Sequence, residues 1–144
     1  MHPPSSTGVI IRSDGLILAN YEQIGAPPLG AEVLVYRSAS PEQLADLAYY
    51  AEVLSVDLPV DLVLLQITRD ADYRPLTSVT LPAVRLGDAT SVRTGDELLL
   101  MGYRDKNDPI LRSGLARVIS GIFVGDEAAA LEMDATSPLQ FDGI

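Results

Sequence analysis

Short runs of β-branched and aliphatic residues, each closed within a few positions by Gly, Asp, Asn or Pro, constrain this chain more than any other feature. Val9–Arg12 and Leu16–Ala19 are separated by Ser13-Asp14-Gly15, whose Asp-Gly chemistry suits a tight hairpin turn. Ala31–Tyr36, Val53–Val56, Leu62–Ile67, Val84–Leu86, Glu97–Tyr103, Leu115–Ile122 and Ala129–Met133 continue the pattern. Between them lie Gly25-Ala26-Pro27-Pro28-Leu29-Gly30, Gly87-Asp88, Gly95-Asp96, Asp105-Lys106-Asn107-Asp108-Pro109 and Gly125-Asp126, all turn or loop compositions. Many short strands at fairly regular spacing predict an all-β barrel or sandwich.

One stretch departs from this pattern. Ser40-Pro41-Glu42-Gln43 reads as an N-cap followed by a proline at the first helical position. Leu44, Leu47, Tyr50, Ala51 and Leu54 then follow at helical spacing, so the local signal over 41–53 is helical.

A chain of 144 residues is long enough to bury a core without covalent staples. It contains no cysteine, which excludes disulfides, thiolate catalysis and cysteine-bound metal. Its apolar residues come in runs too short for a transmembrane span of about 20 residues. Met1-His2-Pro3-Pro4-Ser5-Ser6-Thr7 lacks the basic and apolar regions of a secretory signal, so the chain as written reads as cytoplasmic, with its compartment otherwise open. Twenty acidic against ten basic residues give a formal net charge of −10, a field that repels nucleic acid and anionic lipid, and neither is an expected partner. The acidic residues are scattered, as on a solvated surface.

Four segments carry a family resemblance, three of them in the scaffold and one at the nucleophile loop. Gly8-Val-Ile-Ile-Arg-Ser-Asp-Gly-Leu-Ile-Leu-Ala-Asn-Tyr-Glu-Gln-Ile24 resembles the opening hairpin of trypsin-like serine proteases of the HtrA (high-temperature-requirement) kind, which reads roughly G-x-G-hydrophobic-x-x-x-D-G-x-I-L-T-N-x-H-V-I. Asp57-Leu-Pro-Val-Asp61-Leu-Val-Leu-Leu-Gln-Ile67 is similar to the family's D-x-x-x-D-L-A-V-L-K-I. The most specific match is Pro82–Tyr103, which resembles L-P-x-x-x-L-G-D-S-x-x-L-x-x-G-D-x-V-x-x-I-G; it is a match of turns and scaffold and carries no chemistry. The resemblance implies a trypsin/chymotrypsin-like double β-barrel, with residues 1–80 as the first lobe and 81–144 as a shortened second lobe, divided near Thr77–Pro82. It also implies that Pro41–Ala45 is a short helix and that a strand over Tyr49–Val56 follows.

The same resemblance locates the catalytic positions. A serine protease needs a hydroxyl nucleophile, an imidazole to take and return its proton, and a carboxylate to orient the imidazole. The position of the base is Glu22, and the chain's one histidine is His2. The position of the orienting acid is Asp61, although an Asp ending a loop before a buried strand would read the same way. Leu131–Ile144 resembles the nucleophile loop, I-Q-T-D-A-x-x-N-P-G-N-S-G-G-P-L, with one residue fewer before the proline. Aligned on Pro138, Phe141 takes the serine position, and Leu139, Gln140, Asp142 and Gly143 form a remodelled oxyanion loop. Leu139 and Asp142 replace glycines whose freedom of φ aims backbone N–H groups at the oxyanion. Ser137 is a nearby hydroxyl, but it precedes the proline and has no base.

These departures predict a pseudoprotease, not an enzyme, that works by binding a protein or peptide partner or as a homo-oligomer. No cofactor is expected. A Glu22–Asp61 carboxylate pair would suit acid catalysis or a divalent metal, but two aligned acids are equally what a triad stripped of its base leaves behind, and no metal is expected. Asp105-Lys106-Asn107-Asp108 lacks the glycine and glutamate of a calcium loop, and Gly25–Gly30 lacks the ending of a phosphate loop. Tyr49 and Tyr50 suit either a peptide-contact surface or core and rim. The competing readings are a peptidase whose missing parts lie outside this sequence and an unrelated β-barrel binding module. The family's second barrel runs about two strands beyond the nucleophile loop. The chain is therefore expected to be a piece of a longer protein, or to have its barrel completed by another chain, with exposed strand edges at Leu115–Ile122 or Ala129–Met133.

Overall fold

The computed structural model describes residues 4–38, 40, 43–105, 108–124 and 127–135, with side chains described for residues 4–38, 40, 43–103 and 113–118. The chain is built from antiparallel strands: β1 (Val9–Arg12), β2 (Leu16–Asn20), β3 (Glu32–Arg37), β4 (Asp46–Asp57), β5 (Leu62–Asp70), β6 (Glu97–Asp105), β7 (Asp108–Val124) and β8 (Glu127–Ala135). The first five form one sheet in the order β1-β2-β5-β4-β3, and the last three form a second in the order β6-β7-β8.

Period-two alternation builds the core of the first sheet. Val63, Leu65 and Ile67 on β5 are buried; β2 sets Ala19 opposite Val63 and Ile17 opposite Leu65, while β4 sets Val53 opposite Leu65 and Ala51 opposite Ile67. The β4–β5 ladder carries two bulges, one that leaves Thr68 of β5 unpaired opposite Tyr50 and Ala51 and one that leaves Leu54 of β4 unpaired between Val53 and Ser55. No polar or charged side chain is buried among the described residues.

The β1–β2 turn forms as its chemistry predicts. Gly15 donates its N–H to the Arg12 carbonyl at 3.0 Å and sits at φ +94°, in the left-handed region. The Arg12 Nε–Asp14 Oδ1 ion pair at 2.7 Å closes the turn, raising the guanidinium pKa and lowering that of the carboxyl. Gly15 also lies against β5: a Cβ there would stand 2.8 Å from the Cβ of Ile67.

Two expectations need correction. Gln43–Ala45 are not helical: β4 starts directly after them at Asp46, where it bonds to β3, and from Tyr49 it bonds to β5 as well, so the expected strand over Tyr49–Val56 forms within it. Pro41 and Glu42, the rest of the expected helix, lie outside the described residues. Val84–Leu86 does not form a strand. Residues 81–84 run along β1 with two main-chain bonds, Leu81 N–H to Ser13 O and Val84 N–H to Ile10 O, whose three-residue spacing breaks the two-residue period of a ladder. Of the two stretches named for an open strand edge, Leu115–Ile122 lies in β7, which pairs with β6 up to Arg117 and with β8 from Ala116 onward. Ala129–Met133 does fall in an edge strand, β8.

The scaffold motif of Pro82–Tyr103 folds as turns. Asp88 accepts the backbone N–H of Thr90 at 3.0 Å and its hydroxyl, bonds that hold the Asp88 carboxyl below the usual carboxylate range. Gly95 at φ +93° and the Asp96 carboxylate, which accepts the Arg93 N–H at 2.8 Å, lead the chain into β6. Between the sheets, Tyr103 is a tie point: its backbone N–H donates to Thr7 Oγ1 at 2.9 Å, and its phenol donates to Ser38 Oγ at 2.9 Å.

Replacing Gly15 by alanine forces a side chain into positive φ and against Ile67. We expect Gly15→Ala to lower unfolding stability by about 1–3 kcal/mol in denaturant titration. Ser13→Ala, in the same turn but without that constraint, should change it by less than about 0.5 kcal/mol.

Candidate functional site

Pairing of β2 with β5 brings the two expected acids together. Asn20 is the last residue of β2 and stands opposite Leu62, the first of β5, so the residue after Asn20 meets the residue before Leu62. There the Tyr21 N–H donates to the Asp61 carbonyl at 3.1 Å, and the Glu22 N–H donates to the Asp61 carboxylate Oδ1 at 2.8 Å. The contact between the two residues is made by the Glu22 backbone N–H and the Asp61 carboxylate.

Local turns set both residues. Leu58–Val60 is a single 3-10 turn with Pro59 near its start, and Asp61 closes it at φ +55°, ψ +44°, with its N–H on the Leu58 carbonyl at 3.1 Å. This left-handed conformation is one that Asp tolerates better than most residues. Glu22–Ile24 is a second 3-10 turn, ended by Gly25 at φ +87°. Glu22 is exposed and Asp61 half-buried.

The sequence reading did not single out Tyr21. It bonds through its main chain to Asp61 and Ala26, and through its phenol to the Pro27 carbonyl at 2.8 Å, anchoring the proline loop beside the site. An aromatic residue next to a Gly-Pro loop was the available signal. Tyr49 packs on the core, whereas Tyr50 meets Tyr73 in a tilted ring contact, 4.7 Å between centroids.

Chemically, the Asp61 carboxylate accepts a backbone N–H from the turn after β2. No group of three or more His, Cys, Asp or Glu among the described residues is placed to hold a metal ion. The nucleophile-loop positions, Ser137, Leu139, Gln140, Phe141, Asp142 and Gly143, lie outside the described residues, as does His2. No helix among the described residues is long and apolar enough to cross a membrane.

The family model of the trypsin-like peptidase domain matches residues 6–139. This chain belongs to the trypsin-like peptidase domain family. It is 33% identical over 97 residues to the magnetosome formation protease MamE of Magnetospirillum gryphiswaldense, and equally so to MamE of Paramagnetospirillum magneticum. Each match covers 67% of this chain but spans only 11% of the relative's length. Among solved structures, the MamO protease domain of Magnetospirillum magneticum aligns with a TM-score of 0.62 over 93% of this chain, and Deg5 with 0.65 over 94%. Both are 17% identical and 65% covered, so their likeness is one of fold: a trypsin-like, all-β architecture of the HtrA type.

Asp61→Ala removes the acceptor of the Glu22 N–H and places alanine in the left-handed region. It should cost about 1–3 kcal/mol of unfolding stability. Asp61→Asn retains an acceptor oxygen and the tolerance of positive φ, and should stay within about 1 kcal/mol of the parent. Thermal and denaturant unfolding of the two variants checks the difference.

Proposed function

We propose that this trypsin-like domain is a pseudoprotease that acts in protein binding, assembly or regulation and does not cleave peptide bonds. The observation that carries the reading is the pairing of Asp61 with residue 22, where the side chain is a carboxylate. With an ordinary pKa of about 4.3, a glutamate is a weak base toward a serine hydroxyl at neutral pH. Alignment of the nucleophile loop supports the same reading: Phe141 offers no hydroxyl, and Leu139 and Asp142 replace oxyanion-loop glycines. In this proposal residues 1–80 and 81–144 are two lobes of one domain, with Glu22, Asp61 and Phe141 as the vestiges of a triad.

A second reading is an active peptidase whose catalytic parts come from chain outside these residues. It is favoured by the MamE relatives, which are magnetosome formation proteases. Against it, added chain would have to bring an imidazole to a position that Glu22 already fills.

The purified chain, incubated with unfolded casein and with a fluorophosphonate probe, should show neither cleavage nor covalent labelling. Glu22→His combined with Phe141→Ser should remain inactive, because Leu139 and Asp142 still misform the oxyanion loop. Turnover by the unmodified chain that persists after rigorous purification would sink the pseudoprotease reading.

A further inference from the structure

We propose that the open edge of β3 accepts an extended, basic segment of a partner protein as an added antiparallel strand. This deepens the protein-binding reading and rests on it.

The two edges of the first sheet are unlike. β1 is covered by the 81–84 segment through the Leu81 and Val84 bonds. β3 pairs with β4 alone. The Val53 N–H bonds to the Ala31 carbonyl at 2.9 Å, and this sets the phase of the β3–β4 ladder. In an antiparallel pair alternate residues face the partner, so Val33 and Val35 bond toward β4 while Glu32, Leu34 and Tyr36 turn their N–H and C=O groups outward. Among the described residues no main-chain hydrogen bond reaches these outward groups. A row of unpaired N–H and C=O groups on an apolar strand is a template for strand addition.

Side chains beside this edge select the occupant. Glu32, Leu34 and Tyr36 are exposed on the outer face, Leu34 at 52% and Tyr36 at 55%. Next to them, Tyr73, at φ +65° in its turn, makes a tilted ring contact with Tyr50, and the Glu32 carboxylate pushes the Tyr73 phenol's pKa up. Glu32 stands directly opposite Glu52, a like-charge pair that repels itself across the ladder. Neither makes an ion pair; the one ion pair among the described residues is Arg12–Asp14. A Lys or Arg on an added strand, opposite Glu32, relieves that repulsion, while apolar or aromatic residues opposite Leu34 and Tyr36 cover exposed apolar surface. The net charge of −10 favours encounter with a basic segment and opposes a second copy of this chain.

The test uses the full chain and a fluorescein-labelled, end-capped peptide, Lys-Tyr-Thr-Val-Thr-Lys-Thr, with a counterpart in which both lysines are glutamate. The basic peptide should bind, and the acidic one at least about tenfold more weakly. Leu34→Pro deletes an outward N–H that β4 does not use, and proline is tolerated at such edge positions. It should abolish binding of the basic peptide with little change in thermal midpoint. Glu52→Lys, which neutralises Glu32 within the sheet, should remove most of the preference between the two peptides, and an undiminished preference overturns the proposal even if Leu34→Pro fails to fold. Undiminished binding to folded Leu34→Pro, equal binding of both peptides, or no binding of the basic peptide at millimolar concentration overturns the proposal. Self-association abolished by Leu34→Pro would assign the edge to a second copy and overturn it as well. Casein and fluorophosphonate assays on the same preparation separate the two claims: failed peptide binding in an inert protein removes the β3 site alone, whereas proteolysis removes the pseudoprotease reading.

Discussion

The register of β2 against β5 is the constraint on which the site depends. With Ile17 opposite Leu65 and Ala19 opposite Val63, the buried faces of the two strands coincide; a shift by one residue would turn each apolar side chain to solvent. The same register carries the chain past Asn20 and Leu62 so that Glu22 and Asp61 meet. Asp61 then closes the junction, its carbonyl and carboxylate accepting two successive N–H groups from the turn after β2. The carboxylate that a triad would use to orient an imidazole here also has a plain structural task, and that task persists whatever side chain occupies position 22.

Much of this was legible in the sequence because it depends on local chemistry. The Asp14-Gly15 turn, the alternation of β5 and the turns around Asp88 and Asp96 follow from residue types whose backbone preferences suffice to specify them. The meeting of Glu22 with Asp61 was legible only through family resemblance, since the two are far apart in sequence and no spacing rule joins them. The helical spacing over 41–53 misled at Gln43–Ala45, whereas the strand over Tyr49–Val56, implied by the family resemblance, formed with bonding partners on both flanks. Val84–Leu86 misled for the converse reason: a strand-like composition does not form a ladder where only two irregularly spaced bonds link the segment before it to the neighbouring strand.

On the pseudoprotease reading, with Glu22 at the position of the base, the trypsin-like architecture separates two things the family usually joins. The frame of the first sheet needs Asp61, its left-handed turn and the β2–β5 register, all of which are features of folding. Proton transfer needs a group of suitable pKa at position 22, which is not. A lineage can therefore change the second while the first is held by stability, and the remaining surface, including the unpaired edge of β3, is free to serve recognition.

The most direct test of this account is the pKa of the imidazole introduced by Glu22→His, followed by NMR titration. If position 22 keeps the geometry of a base beside its orienting acid, the nearby Asp61 carboxylate should favour the imidazolium and raise its pKa by about one unit above the ordinary value of about 6.5. Adding Asp61→Asn should bring it back down. An imidazole that titrates at its ordinary value whether or not Asp61 is present would contradict the account, because position 22 and Asp61 would then share a turn without forming the frame of a triad.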